Sequence, residues 1–335
     1  MTEINLRLIG SCPMALGSPT GEDYLKAIAS TSDWADRDGW DAILVYTDHK
    51  QADPILIAQY IIERTNKIRP LIAIQPIYSH PFYFAKAVAT FSFLYGRQVY
   101  INLVAGGFPL DLQSLGDNTP HDKRYDRLVE YGKIVRGLLS TKGVFSFSGE
   151  YYQVSNTRLS LPVPKDLFPV FMTAGSSEAG SAAALELDAC AVRYLLPAHE
   201  YGGKSFDPRI EHGARLGIIV RNARDEAWAT AKRRYPPSKD GAIIRQYSDS
   251  LSDSTWVKEL GKAVAIPEGH PYWLGPYRNY QTSCPFLVGD FEEVVTELAA
   301  YVRLGIRTFL LEQPEDFEDS NLISRAFNLA RSRAV

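Results

Sequence analysis

Val99–Tyr125 reads VYINLVAGGFPLDLQSLGDNTPHDKRY, and the fold turns on how this stretch is understood. An apolar, β-rich run from Val99 to Val104 stops at Gly106-Gly107. A polar loop follows, and a helix opens at His121-Asp122 with Tyr125 one turn in. A strand that ends in a loop and a helix N-terminus delivers polar groups to the carboxyl edge of a parallel sheet. Within the strand, Asn102 alternates with Ile101 and Leu103 and so points to the opposite face. A polar side chain in that position needs a partner from protein, water or ligand. A core asparagine bonded to a neighbouring strand and a ligand-facing asparagine both satisfy this requirement.

Working outward, the same rhythm holds upstream. Ile4–Ile9 reads as a strand, and Thr20-Gly21-Glu22-Asp23 starts a helix to about Arg37, with acids where the helix dipole favours them. Ala42–Tyr46 is a short apolar strand. Asp53-Pro54 begins a helix to about Asn66, with proline in the first turn. Pro70–Gln75 is a third strand, and Pro81 opens a helix to about Leu94. Downstream, a helix runs from Asp122 to about Leu139, and Val144–Val154 alternates as a small hairpin outside the main rhythm. Further strands are expected at Phe168–Thr173, Ala189–Leu195, Arg215–Arg221 and Ile306–Leu311, with helices between them and after the last. Pro197–Gly213, with Gly202-Gly203 and Pro208, takes the place of a full helix. Pro236–Pro285 is a long, aromatic-rich irregular stretch of the kind that serves as a lid or binding insertion. Continuously apolar strands alternating with helices imply a parallel sheet covered on both faces. Eight of them predict an α/β protein, a single (β/α)8 TIM-barrel domain over residues 1–335, with an insertion (residues 236–285) after strand seven. The competing arrangement is an open, doubly wound sheet.

Composition narrows the function classes. The chain has 335 residues, 45% hydrophobic and 22% charged, with a formal net charge of −3, so nothing favours nucleic acid or an anionic membrane as partner. No apolar run is long enough for a membrane span, and Met1-Thr2-Glu3 lacks the basic start of a signal peptide. Cys12, Cys190 and Cys284 are scattered with no CxxC pair, which fits reduced thiols in a cytoplasm and points to no metal site.

In a barrel, function sits at the carboxyl ends of the strands. The polar residues expected there are Ser11, then Tyr46, Thr47, Asp48 and His49, then Gln75, Asn102, His121, Tyr125, Ser176, Ser177, Arg193 and Tyr194. Arg215 opens its strand, so simple geometry places it toward the opposite end. Gly175-Ser176-Ser177 offers backbone N–H groups and two hydroxyls at a helix N-terminus, which suits a phosphate and equally suits a plain N-cap. His121 and Tyr125, four apart, share one helical face. A GxGxxG turn, an HExxH helix, a GxSxG elbow and a P-loop are all absent from the sequence.

These residues carry a resemblance. The segments SHPFYFAKAVATFSFLYGRQVYINLVAGG, HDKRY, GEYYQV, TAGSSEAG and VGDFEEVVTELAAYVRLGIRTFLL are collinear. Together they resemble the bacterial luciferase-like flavin-dependent monooxygenases, and among these the alkanesulfonate monooxygenase branch. The resemblance implies a (β/α)8 barrel and a two-component enzyme. Reduced FMN would come from a separate NAD(P)H:flavin reductase and react with O2 through a flavin C4a-peroxide to oxygenate a small, possibly anionic, organic substrate. It implies cofactor-binding roles for Gln75, Asn102, His121, Tyr125, Ser176 and Ser177. Arg215 matches an active-site arginine, and Arg278 falls where relatives carry a loop arginine. With Arg193, Tyr194 and His49 these are the candidate catalytic residues, in a cytoplasmic homo-oligomer, dimer or tetramer. YTDHKQADP has no cysteine where the sulfonate enzymes do, and Gly217 replaces their histidine, so the cofactor motifs persist while the substrate motifs differ. An F420-dependent hydride-transfer oxidoreductase and a non-catalytic flavin-binding protein are the alternatives.

Overall fold

The computed structural model describes residues 4–15, 18–261, 266 and 269–334, so the reading of Met1-Thr2-Glu3 and part of the 236–285 stretch lie outside the described residues. Along the chain the elements begin β1 (Arg7–Ser11), α1 (Gly21–Arg37), β2 (Ala42–Val45), α2 (Pro54–Arg64), β3 (Arg69–Ile74), α3 (Pro81–Tyr95) and β4 (Tyr100–Val104). Next come α4 (Pro109–Ser114), α5 (His121–Ser140), β5 (Phe145–Ser148), β6 (Gln153–Thr157), β7 (Val170–Ala174), α6 (Glu178–Glu186), β8 (Cys190–Tyr194), β9 (His212–Arg221) and α7 (Arg224–Arg234). The chain continues with α8 (Lys239–Leu251), α9 (Thr255–Gly261), β10 (Tyr272–Trp273), α10 (Gly275–Arg278), β11 (Phe286–Asp290), α11 (Phe291–Arg303), β12 (Ile306–Leu311) and α12 (Phe317–Arg333). Leaving out the β5–β6 hairpin, β10 and β11, this is the succession of a (β/α)8 barrel, with one 3-10 turn (Ala198–Tyr201) where the sixth helix would stand.

The chain groups into two compact units, Cys12–Ala191 and Met1–Ser11 with Val192–Val335. In the first, β2, β3, β4 and β7 pair in parallel, Ala73 opposite Asn102 and Asn102 opposite Met172. Ile72, Ile74, Ile101, Leu103 and Phe171 share one apolar core with Phe84, Val88, Leu128, Tyr131 and Ile134 of α3 and α5. Alternation therefore turns Asn102 away from that core. Helix starts follow their caps: the Asp53 carboxylate accepts from the N–H groups of Ile55 and Leu56, with Pro54 first in α2.

In the second unit, β9 lies parallel between two partners at different heights. His212–Leu216 pairs with β12, and Gly217–Arg221 pairs with β11. The strand starts three residues before the expected Arg215, and Arg215 lies opposite Leu310, next to the end of β12. The expectation that Arg215 sits at the amino end is thus corrected: β9 leaves β12 for β11 just past it. The described residues of the 236–285 stretch are more regular than expected. They hold α8, α9, β10 and α10, and β11 was not expected at all. Polar helix faces and the two-residue β10 left no strong periodicity to read. Asp319, 1% exposed, accepts from Arg221 at 2.7 Å and Arg234 at 2.8 Å, tying β9 and α7 to α12.

The β4–α5 connection is held by buried charge. Asp117 accepts from Arg127 Nη2 at 2.6 Å and from the Thr119 hydroxyl and N–H at 2.6 and 3.0 Å. Burial acts to raise its carboxyl pKa, but these hydrogen bonds outweigh it and hold the group at about 2 against an ordinary 3.8. Since the folded value is depressed, the stabilisation is complete above the ordinary value and is lost as pH falls through about 2. Asp117→Asn is expected to cost about 2–3 kcal/mol at neutral pH. The gap between its Tm and that of the unaltered protein should close as pH drops from 5 toward 2, as followed by circular dichroism; a gap independent of pH refutes the assignment.

Candidate functional site

In the first unit, the sequence candidates gather where β3, β4 and β7 end. Gln75 follows β3 and is 8% exposed; Asn102 in β4 is 6% exposed, and its Oδ1 accepts from no described residue. A buried carbonyl oxygen without a donor is costly unless a ligand or water serves it. Gly106 has φ +96°, and its carbonyl accepts from Arg124 Nη1 at 2.6 Å. A Cβ at Gly106 would press on Gln75 Oε1, so the glycine lets the loop close over that amide.

After β7, Gly175 takes φ +146°, a conformation reserved to glycine, and a Cβ there would collide with the Tyr125 hydroxyl. Tyr125 donates to the Ala174 carbonyl at 3.4 Å, and its ring meets His121 edge-on at 5.4 Å. His121 Nδ1 lies 2.7 Å from the Asp122 carboxylate. Ser177 is the N-cap of α6, its hydroxyl accepting from Gly180 N–H at 3.0 Å, whereas the buried Ser176 hydroxyl has no partner among the described residues. The plain-cap reading thus holds for Ser177 Oγ as acceptor and leaves Ser176 unexplained by folding alone. A glycine-only turn, an orphan hydroxyl and the first N–H groups of a nine-residue helix fit the dianionic phosphate of FMN. His49, in the β2–α2 loop, has its Nδ1 4.0 Å from Asp111 and its ring 5.8 Å from Tyr78.

In the second unit, Arg215 is buried beside Glu312. Its Nη2 donates to Glu312 Oε2 at 3.2 Å, and its Nη1 reaches the Ser11 hydroxyl at 3.5 Å. The Cys284 thiol donates to the same Glu312 oxygen at 3.4 Å, and burial with the adjacent carboxylate pushes its pKa well above the usual thiol range. It is therefore a hydrogen-bond donor and not a thiolate. Tyr194 stacks on Trp256 at 3.6 Å and 19°; burial raises its phenol pKa, with Arg215 acting in the opposite sense. Arg193 lies over the Phe206 ring at 4.6 Å and 3.4 Å from His212 Nδ1. Burial, with Arg193 second among the lowering influences, holds that imidazole below its ordinary pKa. Arg278 ends α10 exposed, and its side chain makes no hydrogen bond or ion pair among the described residues.

The structure thus brings Gln75, Asn102, His121, Tyr125, Ser176 and Ser177 into one unit and Arg193, Tyr194, Arg215 and Arg278 into the other. Arg124, Glu312, Cys284 and Trp256 were not singled out from the sequence. Arg124 stands inside HDKRY, Glu312 directly follows the last strand, and Trp256 lies in the aromatic-rich 236–285 stretch, so these three carried a positional signal; Cys284 carried none.

Comparison with known proteins agrees with this architecture. The sequence pattern of the luciferase-like monooxygenase family spans residues 8–308. The 4-(γ-L-glutamylamino)butanoyl-(BtrI acyl-carrier protein) monooxygenase BtrO of Niallia circulans is 30% identical over 312 residues, 91% of each chain. The crystal structure of long-chain alkane monooxygenase (LadA) superposes with a TM-score of 0.74 at 19% identity, covering 98% of this chain and 92% of that one. The oxygenating constituent of 3,6-diketocamphane monooxygenase of Pseudomonas putida, solved with FMN, gives 0.69 at 16%, covering 99% and 98%. These barrels set aside the doubly wound alternative. The chain belongs to the luciferase-like monooxygenase family and is a flavin-dependent monooxygenase on a (β/α)8 barrel.

Proposed function

We propose that this chain is the oxygenase of a two-component system: it takes reduced FMN from an NAD(P)H:flavin reductase and uses O2 to oxygenate a small organic substrate. The observation that carries the reading is the Gly175-Ser176 turn, whose buried hydroxyl has no partner among the described residues while Tyr125 lies over the glycine. Bound there, the reduced flavin supplies the activation of O2 and the transfer of one oxygen atom. The chain's own residues bind and orient it. Ser176, the α6 N-terminus, His121 and Tyr125 hold the phosphate, and Gln75 and Asn102 supply polar contacts to the ring. Arg215, with Glu312, Tyr194 and Trp256, receives the substrate's polar group. Arg193, His49 and Arg278 have weaker claims. Phe206 and His212 engage Arg193, Asp111 faces His49, and Arg278 is exposed. The substituted cysteine and histidine of the sulfonate branch argue for a substrate other than an alkanesulfonate. The substrate named for BtrO, an acyl group on a carrier protein, is the first to try. Leu56, Tyr83, Phe93 and Leu94, all more than half exposed on α2 and α3, support a homo-oligomer.

Ser176→Ala is expected to weaken FMN about five- to twenty-fold and leave riboflavin unchanged, since only the phosphate contact is lost. Fluorescence titration with both flavins reads this, and equal loss for the two rejects the phosphate assignment. Anaerobic titration should favour reduced FMN over F420, and 18O2 with reductase, NADH and FMN should place one heavy oxygen atom in the product. Tighter F420 binding would instead establish the hydride-transfer alternative. Light scattering should give at least twice the monomer mass, and Leu56→Glu with Leu94→Glu should lower it; a monomer before substitution rules out the oligomer.

A further inference from the structure

The Arg215–Glu312 pair carries more than the substrate reading requires. A site built only for an anion gains by leaving its arginine uncompensated. Here the guanidinium already faces a carboxylate at 3.2 Å, and the two side chains are 7% and 17% exposed. Both Arg215 and the Cys284 thiol donate to Glu312 Oε2. Glu312 Oε1 accepts from no described residue. One oxygen of a nearly buried carboxylate is thus committed to fixing the arginine, and the other retains its full capacity to accept.

Charge decides what such a pair selects. A lone carboxylate placed on Arg215 also meets Glu312, and a lone ammonium placed on Glu312 also meets Arg215, so each is attracted and repelled at similar range. A ligand with both charges on one carbon satisfies both ends. The Tyr194–Trp256 stack adds aromatic surface to the same unit, which suits an ammonium group and the aliphatic carbons behind it.

We propose that Arg215 and Glu312 form a zwitterion subsite, Arg215 taking a carboxylate and the free oxygen of Glu312 an ammonium, so that the substrate ends in an α-amino-acid head group. This rests on the reading of Arg215 as a substrate-binding group. Cys284 and Ser11 act as positioning residues, holding Glu312 and Arg215 respectively. Three matched probes isolate the two charges: L-glutamine carries both, glutaramate lacks the ammonium, and 4-aminobutanamide lacks the carboxylate. Calorimetry on the full chain, with and without saturating FMN, should find L-glutamine bound about ten-fold or more tightly than either analogue. Glu312→Gln should bring L-glutamine to the level of glutaramate while FMN affinity stays unchanged, which shows the variant to be folded. Glutaramate binding as tightly as L-glutamine, absence of heat with all three, or an unaltered preference in Glu312→Gln overturns the proposal. Because the preference is read without O2 or reductase, its failure is separate from a failure of the oxygenase reading, which the reduced-FMN titration reports.

Discussion

Burial of parallel strands on both faces is the constraint from which the rest of this structure follows. β2 is buried at every position, and β9 at all but its last. Such strands have no solvated face on which to place polar groups, so each polar side chain must be paired, or sit where a strand ends and a ligand can reach it. Ser11, Asn102, Thr173 and Arg215 are the polar residues that break the apolar runs of β1, β4, β7 and β9. Two of them are resolved within the protein: Ser11 donates to the Leu311 carbonyl at 2.8 Å, and Arg215 pairs with Glu312. Asn102 and Thr173 are not: neither Asn102 Oδ1 nor Thr173 Oγ1 has a hydrogen-bond partner among the described residues, and such an orphan oxygen is a cost that a ligand can relieve.

The two groups of site residues solve different physical problems. On the proposed reading, the Gly175 turn would meet a phosphate mainly with backbone, a glycine-only conformation and a helix N-terminus, helped by serine hydroxyls. The Arg215 group is made of side chains whose charges nearly cancel, so on the proposed reading it would discriminate by arrangement and not by net charge.

Rigidity is supplied by buried ion pairs outside these groups. Asp117 with Arg127 fixes the loop after β4, and Asp319 with Arg221 and Arg234 fixes the end of β9. In each case the carboxylate is satisfied by several donors, which offsets its desolvation. The loop carbonyl at Gly106 is held by Arg124 from the same helix that presents His121 and Tyr125, so the loop and those two side chains share one support.

The βα succession is legible in the chain alone, because strand burial and helix capping are local: Asp53-Pro54, the Gly96 stop of α3 and the Val99–Val104 run each act within a few residues. The Gly175-Ser176-Ser177 turn is legible too, as a glycine and two hydroxyls before a helix. Other features depend on partners distant in the chain. Arg215 lies near the end of β12 because β9 changes partner from β12 to β11, a register set by residues 69 positions away in β11 and 94 to 95 away in β12. Glu312 and Cys284 acquire their meaning from the same convergence. The 236–285 stretch folds into helices whose polar, short segments take their stability from packing, as when Arg245 lies over the Tyr277 ring at 4.0 Å, and not from a periodicity legible in one dimension.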